Sequence, residues 1–143
     1  MKLLASIIAL TCLTQTVQAQ ALFECGGNAG YSYYFEGDFV PKKDSGWTED
    51  GTSQGSYSLI NKGEDLDLIF TDATGRVISA VADGGQVFML GQGNSTVLVL
   101  VNYPNMTAET YLFNLKTGQY SLNQVKYGNN PIHKSTNLIG DCY

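Results

Sequence analysis

Five apolar residues, Val97, Leu98, Val99, Leu100 and Val101, follow one another without a polar break in a chain of 143 residues. A β-branched run of that length makes a strand and is too short for an isolated helix, so it predicts a strand covered on both faces. The segments around it are shorter. Tyr57 and Leu59 alternate with Ser56 and Ser58, and Leu66, Leu68 and Phe70 alternate with Asp65, Asp67 and Thr71. Val77, Ser79 and Val81 alternate with Ile78, Ala80 and Ala82, and further strands are expected from Gln86, Glu109 and Tyr120 onward. In this pattern one face meets a core and the other meets water, which puts Asp65 and Asp67 on a solvated face.

Turn signals separate these segments: Lys62-Gly63, Ala73-Thr74-Gly75, Asp83-Gly84-Gly85, Pro104-Asn105, Lys116-Thr117-Gly118 and Gly128-Asn129-Asn130. Turns at roughly ten-residue intervals predict an antiparallel up-and-down meander. The expected fold is all-β, with about seven to nine strands forming a small barrel or sandwich. Pairing the first strand with the last would remove two exposed edges and suit a monomer.

The chain opens with Lys2, an apolar stretch over 3–13 and the small-residue ending Val17, Gln18, Ala19. This is the layout of a secretory signal peptide cleaved after Ala19, leaving 20–143 as a single β domain, periplasmic or secreted. Cys12 follows Ala9, Leu10 and Thr11, which do not form a lipobox. Removal of the leader leaves two cysteines, Cys25 and Cys142. In an oxidising compartment they predict one intramolecular disulfide, the alternatives being two free thiols or a bridge between molecules.

Thirteen acidic residues stand against eight basic ones, and Lys2 leaves with the leader. Nucleic acid is therefore not an expected partner, since phosphate binding needs a basic footprint. No second apolar stretch is long enough to cross a membrane as a helix. The acidic residues concentrate in 36–72, which could draw a basic partner or calcium, yet no EF-hand spacing is present.

Two stretches carry the candidate binding residues. Tyr31, Tyr33 and Phe35 alternate with Ser32, Tyr34 and Glu36, an aromatic face that serves as core or as a stacking surface for a sugar or another flat ligand. The Gly26-Gly27-Asn28-Ala29-Gly30 run before it reads as a turn. The segment 40–55, which opens on Val40 and ends on Gly55, has no periodicity and predicts a long binding loop. Trp47, the only tryptophan, sits in its middle. It is either an anchor for a partner or a plug folded back over an open end of the sheet, and a large apolar ring favours the plug.

The tail, Pro131-Ile132-His133-Lys134-Ser135 leading to Cys142, together with Asp72-Ala73-Thr74-Gly75 and Ala82-Asp83-Gly84-Gly85, resembles small exported proteins of Gram-negative bacteria. That resemblance implies a β-rich periplasmic or secreted domain and transfers no catalytic residue. His133 is the sole histidine, so a metal site has no second imidazole, and no metal or cofactor is expected. Ser135 and His133, on one strand face, stand about 7 Å apart, beyond hydrogen-bond reach for a triad. Asn94 and Asn105 head glycosylation sequons that turn chemistry already explains. The functional expectation is a non-enzymatic domain binding a protein or small ligand through the 40–55 loop, with Trp47, Tyr31, Tyr33 and Tyr34 as contact residues. The alternatives are a lipocalin-like barrel carrying a small apolar ligand, and an envelope enzyme without a recognisable motif.

Overall fold

The computed structural model describes residues 19–72 and 74–143. The leader, with Lys2, Cys12 and the approach to the cleavage position, falls outside the described residues. Ten strands follow one another: β1 (Gln20–Tyr34), β2 (Gly46–Thr52), β3 (Tyr57–Lys62), β4 (Asp65–Thr71), β5 (Val77–Ser79), β6 (Gln86–Gln92), β7 (Thr96–Tyr103), β8 (Thr107–Asn114), β9 (Gln119–Lys126) and β10 (Lys134–Cys142). They form a single antiparallel sheet in the order β5-β4-β3-β1-β10-β9-β8-β7-β6, with β2 also on β1, curled into a half-barrel. Among the described residues no helix is long and apolar enough to cross a membrane.

The all-β antiparallel expectation holds, and the first and last strands do pair. They lie in the middle of the sheet rather than at a closing seam, so the sheet still ends on β5 and β6. The chain itself bridges part of that gap. The Ala80 N–H donates to the Leu68 carbonyl, and beyond Val81 the chain leaves β4 to become β6. Lys62, Asp65, Val87, Phe88 and Met89 line the cleft that remains.

Two segments read as irregular are strands. β1 runs unbroken through Gly26 to Gly30, correcting the expected turn, because the small residues let neighbours approach closely. A Cβ at Gly30 would collide with the Asn137 carbonyl oxygen of β10, and one at Gly140 with the Tyr120 ring. The 40–55 segment is a single 3₁₀ turn, Lys42–Asp44, followed by β2, whose residues 46–52 pair with 34–28 of β1. Its partner lies in the chain before it, so backbone pairing holds it without any hydrophobic alternation of its own. The long irregular loop is therefore corrected to a hairpin arm.

The concave side holds the core: Tyr57, Leu59, Leu68, Val99, Tyr111, Phe113, Tyr120, Leu122 and Leu138. The rings of Tyr111, Phe113 and Tyr120 lie 6.1 Å apart in succession, and Tyr57 reaches Tyr120 at 5.4 Å. On β7 only Val97, Val99 and Val101 are fully buried. Leu98 and Leu100 are half-buried on the convex side, which corrects the strand covered on both faces. Asp67 is likewise corrected. It is fully buried, not solvated, with Oδ2 accepting from Lys62 Nζ at 2.6 Å and Ser79 Oγ at 2.7 Å, and Oδ1 from the Val81 N–H. Cys25 and Cys142 are direct cross-strand partners on β1 and β10 and form the disulfide.

Candidate binding face

On the second half of β1 the usual alternation is inverted. Ser32 and Asn28, small and polar, point to the concave side and are buried, whereas Tyr31 and, just past the strand end, Phe35 are 54% and 50% exposed. The inward residues explain why. Ser32 Oγ donates to Asp50 Oδ2 at 2.6 Å and shares a second 2.6 Å hydrogen bond with Thr136 Oγ1. Lys134 Nζ completes the group at 2.6 Å from Asp50 Oδ2, with Lys134 only 12% exposed. Burial would raise the Asp50 carboxyl, but the hydrogen bonds and charge of Lys134, with help from Ser32 and the Gly51 N–H, lower it to about 2. A half-turned β1 would lose this satisfied network and bury unpaired groups, so the register is pinned from inside.

Tyr34 belongs to that inner network. Its hydroxyl donates to Asp50 Oδ2 at 3.2 Å, and Lys134 Nζ stands 5.3 Å from its ring centroid. It does not join Tyr31, Tyr33 and Trp47, which occupy the opposite, convex face. There Trp47 pairs directly with Tyr33 across the β1–β2 ladder and is 70% exposed, so the plug reading is overturned. The Trp47 ring meets Tyr33 edge to face at 5.5 Å, and Tyr33 meets Phe35 in the same way at 5.0 Å. The aromatic face, read as core or stacking surface, is thus a solvent-facing strip in which Tyr33 touches both Trp47 and Phe35, with Tyr31 next along the strand.

Beside Tyr31 lies an open hollow of about 700 Å³, lined by Ala29, Gly30, Tyr31, Glu49, Asp50 and Gly51. Ala29 and Gly51 are paired across the ladder, and a Cβ at Gly51 would collide with the Asn28 carbonyl oxygen, so glycine there permits the close approach of β2 to β1. The sheet then continues the face sideways. Tyr31 pairs with Glu49 on one side and Asn137 on the other, and Asn137 pairs with Asn123. Tyr33 pairs with Trp47 and Ser135, and Ser135 with Val125. Glu49 is the only charged group in these two rows. Glu49, Asn137 and the small pair Ala29–Gly51 are the parts that sequence reasoning passed over, whereas Phe35 stood in the alternating aromatic face with Tyr31 and Tyr33.

The concave side also carries a half-buried carboxylate. Glu109 accepts from the Tyr111 hydroxyl at 2.7 Å and from Gln124 Nε2 at 2.6 Å, and burial raises its carboxyl above the ordinary range despite both bonds.

Fold and face together define an antiparallel half-barrel with an aromatic strip on its convex surface. No family model matches this chain, and comparisons with curated proteins and with solved structures returned no match.

Proposed function

We propose that this chain is an exported, non-enzymatic binding module whose contact surface is the convex face of the β1–β2 pair. The observation that carries the reading is Trp47, exposed, level with Tyr33 and locked against it by an edge-to-face contact. Exposed large aromatics on a regular strand are costly in solvent, and rings held by one another lose little freedom when a partner docks. A disulfide between Cys25 and Cys142 suits an oxidising compartment and supports export. The alternative, carriage of an apolar ligand inside, draws less support, because Tyr57, Tyr111, Phe113 and Tyr120 fill the space a ligand would need.

The test is capture from a Gram-negative envelope fraction with the mature domain as bait, wild type against Trp47→Ala. Binding through this face predicts that recovered material is lost from the variant while its melting curve is nearly unchanged. Equal capture by both proteins would remove the β1–β2 face from the function.

A further inference from the structure

The hollow beside Tyr31 and the neutral row next to it narrow the ligand class, an inference that rests on the binding-face reading above. We infer that the face binds a neutral oligosaccharide, with one sugar ring seated in the hollow over Ala29 and Gly51 and the chain continuing along Tyr33, Trp47 and Phe35.

The argument is one of chemical match. A pyranose ring presents an apolar C–H face and a girdle of hydroxyls, each both donor and acceptor. It needs a ring face on one side and planar polar groups at the edge, whose adjacent atoms bridge neighbouring hydroxyls. Tyr31 supplies the face, and its two cross-strand partners, Glu49 and Asn137, supply a carboxylate and an amide on either side of it. Asn123 extends the amide row by one strand. At about 700 Å³ the hollow has room for a sugar ring. The other occupants fit less well. A flat apolar ligand calls for an enclosed apolar pocket, whereas this hollow is open and half polar. A polyanion would be repelled by Glu49 and Asp50 at the hollow, and a polycation would find no further charge along the Tyr31 and Tyr33 rows. A protein partner anchored by Trp47 would leave the amide row unexplained.

Trp47 makes the test direct, because it is the only tryptophan and its fluorescence reports this face alone. The mature, oxidised domain would be titrated with cello-, chito-, xylo- and malto-oligosaccharides, following the emission of Trp47 and its protection from acrylamide. A saturable blue shift with protection is expected for at least one series. Glu49→Gln and Tyr31→Ala, both at exposed positions, should each weaken that binding by about tenfold or more, as loss of a charge-assisted hydrogen bond or a stacked ring does. No saturable change with any series at millimolar concentration would overturn the saccharide assignment, as would saturation unaffected by both variants. The two readings fail separately. If no sugar binds while Trp47→Ala still abolishes capture from the envelope fraction, the binding face stands and the saccharide falls; if neither responds, both fall.

Discussion

Asp67 and Trp47 mark the two places where a residue's identity misleads about its position. Asp67 reads as a polar outward residue of an alternating strand, yet it is buried because the end of β5 and the chain after it fold over it and offer Ser79 Oγ and the Val81 N–H. Burial would raise its carboxyl, but Lys62, Ser79 and Val81 outweigh that and hold it below the ordinary value. Asp67→Ser should therefore cost about 1 to 3 kcal/mol, the range for leaving buried donors unsatisfied. Val99→Asp, which places a carboxylate in the core, should abolish folding. Urea titration of both variants checks this, and an Asp67→Ser curve superposing on wild type would show that the carboxylate is dispensable. Trp47 misleads in the other direction. Truncation to Ala should cost about 1 kcal/mol or less, as at other exposed sites, whereas a buried plug would lose about 3 to 5 kcal/mol. Chemical denaturation distinguishes the two.

At the scale of elements, β1 decides the most. It pairs with β10 along one edge and with β3 and then β2 along the other, and the Ser32–Asp50–Lys134 network sets which face it turns outward. A carboxyl lowered in the folded state contributes stability that is present above its unfolded value, about 4, and is lost as pH falls through the folded value near 2. Asp50→Asn should therefore melt below wild type at neutral pH, and the gap should close between about pH 4 and pH 2. A pH-independent gap would mean that the pair does not hold the strand. The opposite case is β6, which ends the sheet. It exposes Phe88, Met89 and Leu90 and carries a register shift between Met89 and Gly91. Its amides should exchange with deuterium well before those of β7, which is paired on both sides. Equal protection would show that the seam toward β4 is closed in solution.

For the whole molecule the disulfide is the largest single constraint. It joins residues 117 positions apart at the point where both terminal strands meet. A loop on the order of 100 residues corresponds to about 4.7 kcal/mol in the chain-entropy account. Native protein should show no thiol reactive toward labelling at Cys25 or Cys142. Reduction should lower the melting temperature by many degrees without changing the sheet at low temperature. An unchanged melting temperature after reduction would assign the stability to the ten-stranded ladder alone.

The residues by themselves determined the strand-and-turn rhythm from 56 to 126, the fold class and the cysteine pairing. These rest on local alternation, on glycine and asparagine at turns, and on there being two cysteines in the expected mature chain. Tertiary structure alone decided the rest. β2 owes its existence to a partner in the preceding segment, so no pattern within 46–52 could reveal it. The outward face of Tyr31, Tyr33 and Phe35 was decided by Asp50, Thr136 and Lys134, contributed by two other strands. Alternation states that two faces differ. Which of them meets water depends on what waits on the other side, and for β1 that was a satisfied polar network instead of an apolar core.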